Sequence, residues 1–187
     1  RTSVRTLNFG QPMGGIMQIA YIVPDITAAM KHYMPRLACG PWFVIEHFPL
    51  LDAQYRGEPT ELDITLAIGF SGSMSFELIQ QNNWETPSVY TEVQQKRGWG
   101  FHHFAVSCAD FDADVAKYKA LGHEMALYGV AGVGARAAYM ATSDVLPGMI
   151  ELIEMTDQTE AFFTMMKTAS ENWDGSDPIR VLQPPAE

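Results

Sequence analysis

The chain has 187 residues, 47% of them hydrophobic, enough for one substantial domain around a buried core. Its net charge of -10 disfavours nucleic acid and anionic membranes as partners, because both reward positive charge. No run of ~18 apolar residues supports a membrane span.

In chain order, the first clear element is an apolar strand opening at Gln18 (Gln18-Ile-Ala-Tyr-Ile-Val-Pro-Asp25). Asp25 then suits a helix N-cap, since its carboxylate can accept the free N–H groups of a first turn. The apolar spacing of Ile26, Met30, Tyr33 and Leu37 predicts a helix, with Gly40 as its stop. Strands are expected at Trp42 to Phe48 and Glu61 to Phe70, separated by a loop from Pro49 to Thr60. Phe76-Glu77-Leu78-Ile79-Gln80 reads as the last strand of this half. Residues 81–99 join it to the second half, with a short helix opening in Thr86-Pro-Ser-Val-Tyr90.

The second half repeats the first. His103-Phe-Ala-Val-Ser-Cys-Ala-Asp110 aligns with the strand at Gln18 at a constant offset of 85 (103 − 18), which also matches Tyr33 to Tyr118. Asp110 is again an N-cap, Phe111, Val115, Tyr118 and Leu121 form the helical face, and Gly122 is the stop. Strands follow at His123 to Tyr128 and Ala135 to Thr142. Ile150-Glu151-Leu152-Ile153-Glu154 matches the strand of Glu77 at an offset of 74 (151 − 77), so the first copy carries the longer middle. In the tail, Asp157 to Asn172 reads as a helix that ends in a turn at Asp174 to Pro178. Phe162, Phe163, Met166 and Trp173 suit the tail to cover a cavity or pack at a subunit interface. The units are thus residues 15–80, a linker 81–99, residues 100–155 and a tail 156–187, all in one compact domain.

The repeat also places polar groups. Each half offers one polar residue opening its first strand, Gln18 and His103, and one glutamate in its last strand, Glu77 and Glu151. Related by a pseudo-two-fold axis, the four meet in one cavity. Two carboxylates buried among Phe76, Leu78, Ile150 and Leu152 repel each other and need a counter-charge, which a divalent cation supplies. One imidazole, two carboxylates and one amide oxygen suit Zn, Ni, Co, Mn or Fe(II), and the absence of thiolates argues against a purely structural zinc. His102, next to His103, is expected to point to the opposite face of the strand. Cys39 and Cys108 are too few and too far apart for a disulfide framework and read as packing residues. With no secretory-type apolar stretch in residues 1–15, the cytoplasm is the expected setting.

Gly100-Phe-His-His-Phe-Ala-Val106 and Gly148-Met-Ile-Glu-Leu-Ile-Glu154 resemble second-module hallmarks of the glyoxalase, bleomycin-resistance and extradiol dioxygenase superfamily, the vicinal oxygen chelate proteins. The likeness covers roughly Gly15 to Met155 and is greatest to the methylmalonyl-CoA epimerase and glyoxalase I branches. It implies an α+β fold of paired βαβββ modules forming a cupped half-barrel, here with a C-terminal helical tail. It implies one divalent metal ion held by Gln18, Glu77, His103 and Glu151, a small-molecule substrate and a homodimer. The epimerase branch usually has His at the position of Gln18, whereas the Gln, Glu, His, Glu set is similar to some glyoxalase I enzymes.

The expected chemistry is that of an isomerase, epimerase or lyase that chelates a carbonyl compound and moves a proton through an enolate. Glu151 is the first candidate base, then Glu77, with Glu46 on the second strand as a further one. Trp42, Phe43, Tyr55, Tyr90 and Phe101 offer aromatic surface for substrate, and Arg56 a partner for a substrate carboxylate. Together with the acidic charge they favour an apolar or aromatic oxygenated molecule. The alternatives are an extradiol-type ring-cleaving dioxygenase, whose two-His-one-carboxylate triad Gln18 leaves incomplete, and a non-catalytic protein that binds an aromatic ligand.

Overall fold

The computed structural model describes residues 4–132 and 134–183. The first half contains β1 (Ile16–Ile22), α1 (Ile26–Leu37), β2 (Trp42–Ile45), β3 (Leu50–Tyr55), β4 (Glu58–Pro59), β5 (Ile64–Ser71) and β6 (Met74–Gln81). The helix α2 (Val89–Arg97) leads to the second half, β7 (Gly100–Cys108), α3 (Phe111–Ala120), β8 (Met125–Ala131), β9 (Arg136–Met140) and β10 (Met149–Glu154). The tail forms α4 (Asp157–Ser170) and β11 (Ile179–Val181). No described helix is long and apolar enough to cross a membrane.

The strands form a single curled sheet in the order β11-β2-β5-β6-β1-β7-β10-β9-β8-β3-β4. Leaving aside β3, β4 and β11, the two βαβββ modules abut through the antiparallel pair β1·β7. Asp25 and Asp110 cap α1 and α3 as expected, accepting from the backbone N–H of Ala28 and Ala113. α1 ends at Ala38 in a left-handed conformation (φ 51°), so its stop comes two residues before Gly40. Both helices cover the convex face: Met30 and Ala29 of α1 pack with Trp42, Ala67 and Leu78, and Phe111 and Val115 of α3 with Ala138 and Leu152. Cys39 and Cys108 are buried and unpaired.

The concave face is filled from both ends. Val89, Tyr90 and Val93 of α2 lie on Ile22, Leu66, Ile79 and Leu127, with Leu50 and Tyr55 of β3 packed alongside. Phe163 and Met166 of α4, with Leu7 and Phe9, lie on Met17, Ile68 and Phe70. The tail therefore covers the cup, through α4.

The structure departs from the sequence reading in two places. The segment from Pro49 to Thr60 is a hairpin, β3·β4, whose first strand pairs with β8 of the other module (Leu50 with Ala131, Tyr55 with Leu127). After the turn of Asp174 to Pro178 the tail adds a strand that was not anticipated, β11, parallel to β2. The β3·β8 and β2·β11 pairings join segments remote in sequence, where local patterning carries no register information.

Candidate metal centre

Sheet register builds the site as two rows across four strands. In one row Glu77 of β6 lies beside Ala20 of β1, and Ala20 lies opposite His103 of β7. In the other, Gln18 of β1 lies opposite Ala105 of β7, and Ala105 lies beside Glu151 of β10. The pseudo-two-fold axis exchanges the rows. Each has a fully buried alanine at its centre, Ala20 and Ala105. A methyl group there leaves space over the sheet into which the longer side chains at the four corners converge.

The ligand atoms of Glu77, His103 and Glu151 lie within 4.8 Å of one another. His103 Nε2 is 3.3 Å from Glu151 Oε1 and 3.7 Å from Glu77 Oε1. Nε2 of His103 and Oε1 of Glu77 are buried and have no hydrogen-bond partner. Buried polar atoms are rarely left so, and those that are call for an ion or water. Gln18, 1% exposed, donates its amide nitrogen to Ser75 Oγ at 2.9 Å, which leaves its carbonyl oxygen as the free acceptor. No Lys or Arg is among the buried residues described, so neither residue type neutralises the two carboxylates from within the core. A donor set of two carboxylates, one imidazole and one amide oxygen fits one divalent ion. Burial first, and the charge of Glu151 second, push the Glu77 carboxyl well above the usual range, as two like charges in a dry site require.

Neighbouring rings close the site. Tyr139 of β9 stands directly across from Glu151, and its ring meets that of His103 edge-on at 4.7 Å. Its hydroxyl and that of Tyr90 on α2 are 2.9 Å apart. Burial, reinforced by the charge of Glu151, keeps both phenols protonated far above neutrality. Tyr139 carried no signal of its own in the sequence. Alternation along β9, together with the β9·β10 register, is what aims it at Glu151.

His102 corrects the expectation of an opposite-facing neighbour. The β1·β7 ladder slips at this point, Ala20 pairing with His103 but Tyr21 with Phe101, so His102 is the extra residue of a β-bulge. The bulge brings it onto the same side as His103, where the two Nδ1 atoms are 2.7 Å apart and its Nε2 lies 2.9 Å from the carbonyl oxygen of Val89 on α2. The repeat has a second bulge at Met17, at the same offset of 85 (102 − 17), where the side chain is apolar and packs under α4.

The remaining expected residues are dispersed. Phe43 lies on the concave side in the cluster under α4, and Tyr55 packs beside α2. Trp42 is on the convex side, donating its indole N–H to the Met30 carbonyl beneath α1. Phe101 is also convex, against Tyr21 and Phe104, because it lies on the far side of the bulge. Arg56 is engaged by Glu92 of α2 at 2.5 Å and by Glu124 at 2.8 Å. Glu46 is exposed in the turn after β2, outside the cluster, because β2 ends at Ile45 and the chain turns outward. A cleft of about 330 Å³ lies between Tyr55 and the start of α2, lined by Trp84, Thr91, Glu92 and Gln95 and not by the cluster itself.

A cupped sheet of two βαβββ modules, with an acidic and imidazole cluster where the modules meet, defines the class of the fold. Residues 17–140 match the model of the Glyoxalase/Bleomycin resistance protein/Dioxygenase superfamily, and the chain belongs to that superfamily. Among solved structures it is similar to methylmalonyl-CoA epimerase from Mycobacterium tuberculosis, at 18% identity over 86% of this chain and 97% of that one (TM-score 0.55). A hypothetical protein, BH1468 from Bacillus halodurans, is similar at 21% identity over 77% and 96% (TM-score 0.54). So is a single-residue variant of methylmalonyl-CoA epimerase from Streptomyces coelicolor, in complex with 2-nitronate-propionyl-CoA, at 17% identity over 78% and 96% (TM-score 0.52). These likenesses establish the fold. A comparison with curated protein sequences gives no match.

Proposed function

We propose that the chain is a divalent-metal-dependent isomerase, epimerase or lyase acting on a small carbonyl compound, with Gln18, Glu77, His103 and Glu151 as the metal ligands. The observation that carries this reading is the convergence of Glu77, His103 and Glu151, with two buried atoms unpartnered and no buried cation beside them. A bound divalent ion supplies Lewis acidity, which acidifies the carbon next to a chelated carbonyl. Glu151 is the base that takes the proton from that carbon and returns it, to the other face in an epimerase or to a neighbouring carbon in an isomerase. Tyr139, across from Glu151, helps exclude water from this exchange, and its neutral hydroxyl adds no competing charge.

Charge also narrows the substrate. Two ligating carboxylates balance one divalent ion, and the described core holds no further cation to receive an anionic group. The chelated part of the substrate is therefore uncharged, and the walls it meets are apolar: Ile22, Leu66, Ile79 and Leu127. Entry requires α2 and β3, which fill this end of the cup, to yield.

Metal content of the purified chain is the first test, with one equivalent of divalent ion per chain expected after reconstitution. Uncharged α-hydroxy and α-methyl carbonyl compounds incubated in heavy water should then gain deuterium beside the carbonyl. Replacing Glu151 by Gln should abolish that exchange. A chain that holds the ion, binds aromatic ligands and exchanges no proton is a sequestering protein instead. Oxygen uptake with catechols identifies a dioxygenase.

A further inference from the structure

We propose that His102 is a positioning residue: it accepts the Nδ1 proton of His103 and so turns the Nε2 lone pair of His103 toward Glu77 and Glu151. The proposal rests on the metal-centre reading above and adds to it the residue that orients its imidazole.

The hydrogen bonds dictate the arrangement. A backbone carbonyl only accepts, so the contact between His102 Nε2 and the Val89 oxygen at 2.9 Å places a proton on that nitrogen. The two Nδ1 atoms are 2.7 Å apart, so one proton lies between them. If His102 carried it, His102 would be an imidazolium. Its ring is fully buried, against Tyr90 and Tyr139 at 4.9 and 5.8 Å, and its two nitrogens contact only a carbonyl and another imidazole. A fully buried cation without an anionic partner is costly. The proton therefore belongs to His103 Nδ1, and His102 is the acceptor.

Three further features point the same way. A regular strand would send adjacent side chains to opposite faces, and the bulge at His102 is what lets the two rings meet. The symmetry-related bulge holds Met17, and there Gln18 is oriented by Ser75 instead. The chain of contacts ends on the first residue of α2, where Ser88 caps the helix through its bonds to Tyr90 and Thr91. The orientation of His103 is thus tied to the seating of the helix that covers the cup.

The test uses the full chain and metal alone. Zinc and nickel affinities are measured by competition with a chromophoric chelator for the wild type, His102→Leu and His102→Gln. A glutamine can donate to Val89 and accept from His103, whereas leucine does neither. His102→Leu is expected to bind about 10- to 100-fold more weakly, the range for loss of an outer partner of a metal-bound histidine, and His102→Gln within about threefold of wild type. Nitrogen-15 spectra of the metal-free wild type should show protons on His103 Nδ1 and His102 Nε2 and none on His102 Nδ1. A proton on His102 Nδ1, or a folded His102→Leu that binds like wild type, overturns the proposal. If the wild type binds neither metal, the metal-centre reading fails, and the spectra still decide which ring carries the shared proton. They also decide it if His102→Leu does not fold.

Discussion

Gly148 is the position where fold and candidate site can be perturbed together by one methyl group. It directly precedes β10, and a Cβ built on it falls 2.1 Å from the His102 carbonyl oxygen and 2.9 Å from a ring carbon of Phe101. Real Cβ contacts stay at or above 3.0 Å, so Gly148→Ala must drive the start of β10 at least 0.9 Å (3.0 − 2.1) from the bulge. The neighbouring pair Met149 with His103 belongs to the parallel β7·β10 ladder. Ladder bonds near ~2.9 Å would stretch to ~3.8 Å, beyond hydrogen-bonding range. Losing two or three of them at about 1 kcal/mol each gives a destabilisation of roughly 2–3 kcal/mol. With a urea slope of about 2 kcal/mol/M, the unfolding midpoint falls by roughly 1–1.5 M. Because Glu151 is three residues along the displaced strand, its 3.3 Å approach to His103 Nε2 opens as well, and zinc affinity drops with stability. Urea unfolding followed by fluorescence, with and without zinc, measures both effects. Gly132→Ala is the control, since its Cβ meets only Pro49 at an ordinary 3.7 Å. A Gly148→Ala protein within about 0.5 kcal/mol of wild type, the margin of an ordinary surface substitution, and unchanged in zinc affinity, refutes the argument from close approach.

Three other outcomes follow from the site and its surroundings. Burial first, and the charge of Glu151 second, raise the Glu77 carboxyl in the metal-free fold, so its contribution is complete below the ordinary carboxylate value of 4.5 and is lost as pH rises through the raised folded value. Urea titrations between about pH 5 and about 8 should show the metal-free wild type weakening relative to Glu77→Gln, with a divalent ion reversing the trend in the wild type alone. Ala20→Val fills the centre of one row. It should leave the circular dichroism native, cost roughly 1–3 kcal/mol, and reduce bound zinc measured after dialysis to well under one equivalent. Arg56 is one-third exposed and pairs with two carboxylates, so Arg56→Ala should cost no more than about 1 kcal/mol in thermal or urea unfolding and leave metal affinity unaltered.

The duplication was legible because it repeats chemistry at constant spacing. Asp25 and Asp110 could be read as caps, and Gln18, His103, Glu77 and Glu151 as equivalent positions, without any knowledge of how the halves pack. The supporting groups were not legible in the same way. Alternation assumes an unbroken pleat, and the bulge at His102 breaks it, which moved His102 onto the concave side and left Phe101 on the convex one. Trp42 and Phe101 have the composition of pocket walls, yet aromatic character does not distinguish a cup from the space under a helix. The hairpin β3·β4 read as a loop because its partner, β8, begins seventy residues after Tyr55 (125 − 55).

The sequence by itself determined the duplicated βαβββ pattern, the helix starts and the residue types able to ligate a cation, because each depends on local periodicity and composition. Tertiary structure alone decided the lateral rows around Ala20 and Ala105, the hydrogen-bond chain from Val89 to His103, the placement of Tyr139 and the covering of the cup by α2 and α4. Those depend on register between strands and on curvature of the whole sheet, which arise from contacts between segments remote in the chain.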